Sequence, residues 1–191
     1  GSVTALTVCA WVKTSAATQY KVIASEWHYA TSNAAWSLSV APTGSGGGVS
    51  FALSSNGATV YSALTSASVQ DGTWHHVSAV FSGASVTIYV DGANAMSGAT
   101  ISGSVPASLN NGSAAFQVGC QDAGTFGFAN GSLSNVLVYN VAKSAGEIAA
   151  IYNQHLTPNT IDTTGLIAHY PCAEESGTIG YDASGNGKHL T

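Results

Sequence analysis

Residues 72–77, with the sequence GTWHHV, and residues 86–92, with the sequence VTIYVDG, form the stretch that decides the fold. In the second of them, valine and isoleucine alternate with threonine and tyrosine, the period-two pattern of a strand with one buried face. Ser82-Gly83, between the two, predicts a turn. Asp91-Gly92 supplies the positive φ angles that a tight hairpin turn needs. The stretch is therefore predicted to form two hairpin-linked strands.

Similar short strands recur along the chain between turns rich in glycine, serine and asparagine, such as residues 42–48 and 54–57. Short strands separated by frequent turn signals are typical of an all-β sandwich or barrel. Further strands are predicted at residues 6–13, 21–27, 35–40, 49–53, 59–64, 116–119 and 132–139, with a polar loop at 97–112.

One short helix is predicted near residues 145–154. Ser144 and Glu147 have the spacing of a capping box, in which each side chain accepts a hydrogen bond from the other residue's backbone N–H. Apolar side chains then recur on one side of the segment. Pro158 prevents the helix from extending far, because proline lacks a backbone donor and clashes with the preceding turn.

Composition bounds the class of protein. The chain has 191 residues, of which 45% are hydrophobic, enough for one all-β domain with a sizeable core. Only 7% are charged, against about 25% in typical soluble proteins. A net charge of −5 with four Lys and Arg residues argues against nucleic-acid binding, which needs basic patches. No apolar run is long enough to predict membrane insertion.

Two segments carry a family resemblance. The hairpin at residues 72–92 resembles the WHHV…YVDG hairpin of laminin-G-like domains of the concanavalin A-like lectin/glucanase superfamily, and residues 128–154 resemble the strand and helix that end such domains. The resemblance implies an all-β fold, a two-sheet antiparallel jelly-roll sandwich, over residues 1–156. It also implies a non-enzymatic module that binds a glycan or a neighbouring protein, located extracellularly, on a cell surface or on a virion.

The end of the chain resembles the segment that opens such domains. Residues 165–171 and 181–187 match that opening motif, so the order of elements is that of a circular permutant or of a slice across two tandem domains. Residues 157–164 are interpreted as a linker, and residues 165–191 as completing the same sandwich or a neighbouring one. Residues 165–171 are predicted to pair antiparallel beside 132–139. Insertion into a neighbouring copy is the alternative, and it would give a homo-oligomer by strand exchange.

Glycan sites usually join an aromatic surface to amide, hydroxyl or carboxylate groups on loops. Two groups of residues have this character, one before residue 34 and one in a glycine-rich loop near residue 121. The alternative is that these aromatic side chains belong to the core, as most do in a sandwich. The candidates are Trp27, His28, Tyr29 and Asn33 in the first group, and Gln121, Asp122 and Phe126 in the second.

Asp182, Ser184 and Asn186 form an oxygen-rich turn that could hold calcium, a cation that prefers oxygen ligands. The family resemblance implies a second acidic ligand at the position of Ser134, where this chain has lost it. An Asx-type turn, stabilised by hydrogen bonds to its own backbone, is an equal alternative.

Catalysis and a zinc site are both disfavoured. A glycoside hydrolase needs two carboxylates at a defined separation, whereas Glu174 and Glu175 are sequence neighbours that point to opposite faces of a strand. His75 and His76 are also neighbours, so they cannot chelate one ion together. A structural role is predicted for both histidines.

Leu137 and Val141 stand where the related domains carry arginine. Apolar side chains at positions that are usually solvated predict a contact with another protein. A neutral surface without a partner is the alternative. With the low overall charge, these two residues favour a second function, a structural decoration or fibre subunit of a virus particle or surface assembly.

Overall fold

Twelve strands, one α-helix and one short 3-10 helix (Thr43–Ser45) occupy the part of the chain that the structure describes. This structure is a computed structural model, and it describes residues 2–28, 31–122, 124–127, 131–154, 161–174 and 179–190. The strands are β1 (Leu6–Thr14), β2 (Lys21–Glu26), β3 (Ala34–Val40), β4 (Val49–Gly57), β5 (Val60–Leu64), β6 (Trp74–Phe81), β7 (Val86–Val90), β8 (Ala93–Asn94), β9 (Thr100–Ser102), β10 (Phe116–Val118), β11 (Gly131–Tyr139) and β12 (Leu166–Tyr170), and the helix is α1 (Ala145–Gln154).

The strands form two six-stranded antiparallel sheets, which confirms the predicted sandwich. One sheet has the order β12-β11-β1-β6-β7-β8, and we call it the helix-covered sheet. The other has the order β10-β2-β3-β4-β5-β9, and we call it the open sheet. The hairpin that decided the fold is β6 and β7, with Phe81 opposite Val86 and Val77 opposite Val90.

The core lies between the sheets and follows the period-two alternation of each strand. From β1 it receives Val8, Ala10 and Val12, and from β4 it receives Phe51 and other buried apolar side chains. Complete burial of one such valine or phenylalanine contributes about 1.5–3 kcal/mol to stability.

A second apolar cluster lies on the outer face of the helix-covered sheet, beneath α1. Ile148 and Ile151 of the helix pack there with buried side chains of the sheet. The predicted capping box is confirmed: Ser144 N–H donates to Oε2 of Glu147 over 2.7 Å, and Glu147 N–H donates to Oγ of Ser144 over 3.3 Å. The capping box therefore fixes the start of α1, and the helix that follows covers the sheet.

The predicted protein interface at Leu137 and Val141 is wrong, because the second cluster beneath α1 takes up both side chains. Leu137 is only 4% exposed, because α1 covers it within the second cluster. Val141 is half-buried and packs against that cluster. An apolar side chain therefore replaces a charged one here to meet this chain's own helix.

The strand β12 pairs antiparallel with β11, as predicted, with Val136 opposite Tyr170 and Val138 opposite Ala168. It lies at the edge of the helix-covered sheet. The pairing is made within one chain, so strand exchange stays a prediction. Residues 155–160, which include half of the predicted linker, lie outside the described residues. The described remainder is anchored, because buried Lys143 Nζ lies 2.5 Å from Oδ2 of Asp162.

Two details of the strand prediction are corrected. The polar loop at 97–112 contains β9, which forms the edge of the open sheet, and a bridge between Val3 and Leu109. The strand β4 continues to Gly57, so the hairpin turn comes after the predicted Asn-Gly signal. In the described part of the chain, no helix is both long and apolar enough to span a membrane.

Candidate functional site

The outer face of the open sheet carries a floor of small side chains. Ser39 lies opposite Ser50, and Ala52 lies opposite Ser37 on one side and Ser62 on the other. Because alternate residues of a strand face opposite sides, the large side chains between them point into the core. Small residues on adjacent strands leave a trough, which has a volume of about 420 Å³. We call this trough the groove.

One wall of the groove brings together residues from two distant segments. Trp27, Gln121 and Phe126 all line it. The segments are tied by a hydrogen bond from the N–H of Asp122 to the backbone oxygen of Trp27, 3.0 Å long. Members of both groups that were predicted separately from the sequence therefore line one groove.

The amide of Gln121 is fixed at the junction of wall and floor. Its Oε1 accepts a hydrogen bond from Oγ of Ser37 over 3.1 Å. Its backbone N–H and oxygen pair with the oxygen and N–H of Phe126, at 3.0 and 3.3 Å. The Gln121–Phe126 loop is thus closed by its own backbone, and it holds the amide against the floor.

The aromatic side chains of the groove differ in exposure. Trp27 is only 6% exposed, so it forms the base of the wall. Phe126 is 41% exposed and Tyr20 is 37% exposed, and both line the rim. An exposed aromatic face can stack on the apolar face of a ring ligand, and nearby hydroxyl and amide groups can fix its orientation.

Three described residues among the predicted glycan-site residues do not line the groove. The His28 ring bonds Thr31 Oγ1 through Nδ1, at 2.9 Å. Asn33 is held by Ser113, since its Nδ2 donates to Oγ and its Oδ1 accepts from N–H, both over 2.9 Å. Asp122, with a φ of +53°, shapes the loop beside the groove. Tyr29 lies outside the described residues.

The serine floor and Tyr20 were not among the residues predicted from the sequence. The sequence signal for the serine floor is present in Ser37-Leu38-Ser39, where serine occupies both positions that flank a core leucine. Serine on the outer face of a strand is ordinary, however. It becomes informative only when the register places small residues side by side on three adjacent strands.

The described residues that line the groove carry no charge, because none of them is Asp, Glu, Lys, Arg or His. It offers hydroxyl groups, one fixed amide, aromatic faces and short aliphatic side chains. Such a set suits a neutral ligand that has both hydroxyl groups and apolar ring faces, and it lacks the charges that would balance an ionic one.

The Asp182 turn is built for hydrogen bonding. Oδ1 of Asp182 accepts from the N–H groups of His169 and Ser184, and Oδ2 accepts from that of Lys188, each over 2.9 Å. Although its partial burial opposes ionisation, these bonds lower the pKa of Asp182 to about 2. Asn186 directs its Nδ2 to the backbone oxygens of Leu166 and Ile167, at 3.2 and 3.3 Å.

These contacts do not fit a calcium site. Backbone N–H groups already occupy the carboxylate of Asp182, and a cation needs oxygens that face it. In the described part of the chain, no cluster of three His, Cys, Asp or Glu residues could hold a metal ion. Ser134, the position of the lost acidic ligand, donates to the oxygen of Pro171 instead, over 3.3 Å. The arrangement favours the Asx-type turn.

The two histidines of the hairpin lie in different surroundings. Nδ1 of His75 is 2.8 Å from Oδ2 of Asp91, and its Nε2 is 3.2 Å from Oδ1 of Asp71. Partial burial disfavours the charged ring, but these two carboxylates outweigh it and raise the pKa of His75. His76 is buried, with its ring 5.3 Å from that of Trp11.

A two-sheet jelly roll with a groove on one outer face and a helix on the other defines a lectin-type sandwich. The chain belongs to the concanavalin A-like lectin/glucanases superfamily, whose family model matches residues 2–149. Among curated protein sequences, none is significantly similar to this chain.

Solved structures of known proteins support the fold. A candidate carbohydrate-binding protein from Bacteroides ovatus is similar over 100% of this chain, with a TM-score of 0.72 and 17% identity, and the chain spans only 52% of that protein. A heptameric pentraxin from Limulus polyphemus has a TM-score of 0.55 at 19% identity, covering 79% of this chain and 70% of its own. The fourth domain of an extracellular arabinanase from Geobacillus stearothermophilus, in complex with arabinotriose, has a TM-score of 0.55 at 17% identity, covering 78% and 67%.

Proposed function

We propose that the protein is a non-catalytic recognition module that binds a neutral glycan in the groove of the open sheet. The observation that carries the proposal is an uncharged trough whose rim presents Tyr20 and Phe126 and whose floor and wall present serine hydroxyls and the Gln121 amide. Sugars match this set, because they combine apolar ring faces with many hydroxyl groups. The arabinotriose complex of the similar arabinanase domain gives further support.

The absence of a carboxylate among the described groove residues supports binding without hydrolysis. Both retaining and inverting glycosidases use a pair of carboxylates that flank the scissile bond. The carboxylate of Glu174 accepts a hydrogen bond from Tyr181 N–H over 2.8 Å, and it does not line the groove. Glu175 lies outside the described residues.

The proposed location is extracellular, on a cell surface or on a virion, where glycans are displayed. A surface with few charges and many hydroxyl groups is consistent with this. The alternative function, a structural decoration or fibre subunit, loses its main support because Leu137 is covered by α1.

An array of neutral and acidic glycans, probed with and without a calcium chelator, tests the proposal. We expect binding to neutral glycans that the chelator does not change. Phe126→Ala should weaken it about two- to twelvefold, because an aromatic contact is worth about 0.5–1.5 kcal/mol and 1.4 kcal/mol is about tenfold in affinity. Gln121→Ala should weaken it as well.

Trp74→Ala is the matched control, because Trp74 is 43% exposed but lies on the helix-covered sheet. It should leave binding unchanged. An array without any signal, or a loss of binding in the Trp74 variant alone, would contradict the proposal.

A further inference from the structure

A second hollow lies beside the groove on the same side of the molecule. It has a volume of about 430 Å³ and is lined by residues 16–21, which lead into the start of β2, and by residues 125–127. Tyr20 and Phe126 line both hollows. The two hollows therefore adjoin at these exposed side chains, which we call the ridge, and we call the hollow away from the serine floor the outer hollow.

The outer hollow is held in shape by backbone hydrogen bonds. On one rim, the N–H of Thr43 donates to the oxygen of Ala17 over 2.8 Å, and the N–H of Ala17 donates to Oγ1 of Thr43 over 3.1 Å. On the other rim, the N–H of Val22 donates to the oxygen of Gly127 over 2.8 Å. A preformed hollow loses less entropy on binding than a mobile one.

Gly127 is required at that rim by its conformation. Its φ is +71°, a region that favours glycine, and a Cβ there would collide with Val22. The ridge residue Phe126 is therefore presented by a turn that only glycine can complete. The rim and the ridge belong to one fixed piece of backbone.

The described residues that line the outer hollow also present no available charge. Lys21 lines it, but the side chain is buried and its ammonium donates to Oγ1 of Thr14 and, over 2.6 Å, to the oxygen of Ser15. Burial lowers the pKa of Lys21. The remaining lining groups include the exposed side chains of Thr18 and Gln19.

We infer that the two hollows bind one extended, neutral polysaccharide chain, which crosses the Tyr20–Phe126 ridge. The inference rests on the proposed function of the groove. Each hollow has the size of a small-ligand site, which is typically about 300–1,000 Å³. A monosaccharide or a chain end would fill one hollow and leave the other without a role. A longer chain reaches the second hollow as an intramolecular contact, which raises its affinity.

The test compares short and long forms of the same uncharged sugars. Disaccharides and hexasaccharides from arabinan, xylan, glucan and mannan are titrated into the protein by calorimetry, with hexagalacturonate as the acidic comparator. We expect a hexasaccharide of at least one series to bind more than tenfold tighter than its disaccharide. We expect hexagalacturonate not to bind.

The double variant Thr18→Ala, Gln19→Ala removes polar groups of the outer hollow only. Both side chains are exposed, so the melting temperature should not change. The hexasaccharide should lose most of its advantage, while the disaccharide affinity stays as it was. Ser62→Ala, in the floor of the groove, should weaken both ligands equally.

The outcomes separate the inference from the function on which it rests. Equal affinities for disaccharide and hexasaccharide, or an undiminished advantage in the double variant, would overturn the inference and leave the groove as a glycan site. Failure of every neutral sugar to bind would overturn both.

Discussion

The two sheets of this sandwich use their outer faces in opposite ways. The helix-covered sheet places Leu137 and Tyr139 on that face, where α1 buries them in a second apolar cluster. The open sheet places serine and alanine at the equivalent positions, and the result is a trough. One face therefore adds stability, and the other gives up that stability for a surface that a ligand can reach.

The largest expected effect comes from exchanging a large side chain for a small one on the covered face. Leu137→Ala should lower the free energy of unfolding by about 2–5 kcal/mol, because it leaves a cavity beneath α1. Ser62→Ala on the open face is the matched control and should change it by less than about 0.5 kcal/mol. Chemical denaturation measures both. Equal, small effects would mean that the helix does not seal its sheet.

How much of this comparison can be predicted from the sequence depends on how far apart along the chain the contacting residues lie. The β6–β7 hairpin and the capping box of α1 follow from neighbouring residues, and both are confirmed. The prediction for Leu137 is wrong, because the exposure of its side chain depends on where α1, several residues later, folds back. Trp27, Gln121 and Phe126, which the sequence predicts as site residues, line the groove, but only the register of three strands reveals the serine floor.

A smaller effect is expected at the edge of the helix-covered sheet. His169 turns its backbone N–H outward from β12 toward Asp182. Asp182→Ala should destabilise the protein by about 1–3 kcal/mol, because it leaves buried donors without an acceptor. Asp182→Asn retains one carbonyl oxygen as acceptor, so its cost should be smaller.

The same variants test the calcium prediction. Because the Asp182 oxygens already accept backbone N–H groups, calcium or a chelator should leave the melting temperature of the parent protein unchanged. A calcium-dependent increase in the parent that disappears in Asp182→Ala would show that the turn holds a cation.

The smallest expected effect is the pH dependence contributed by His75. Its pKa is raised in the folded protein by Asp91 and Asp71. Its stabilisation is therefore fully present below the unfolded pKa, about 6.5, and is lost as the pH rises through the folded pKa. The gain is at most about 1 kcal/mol for such a solvated pair.

His75→Gln is the comparison that isolates this contribution. Burial lowers the pKa of His169, so the contribution of His169 to stability changes with pH in the opposite direction, but it is the same in both proteins and cancels in their difference. Thermal melts from pH 5.5 to 9 should show the parent losing its advantage over the variant as the pH rises. A constant difference would indicate that His75 does not titrate in this range.

The proposed glycan site lies on the open sheet, and tryptophan side chains report on both sheets. The chain has four tryptophans, of which Trp27 lines the groove and Trp74 is exposed on the helix-covered sheet. Their indole N–H signals can be followed by NMR while a neutral glycan selected on the array is added. If the glycan binds in the groove, the Trp27 signal moves and the Trp74 signal stays in place. A shift of Trp74 with Trp27 unmoved would place the ligand on the opposite face and contradict the proposed function.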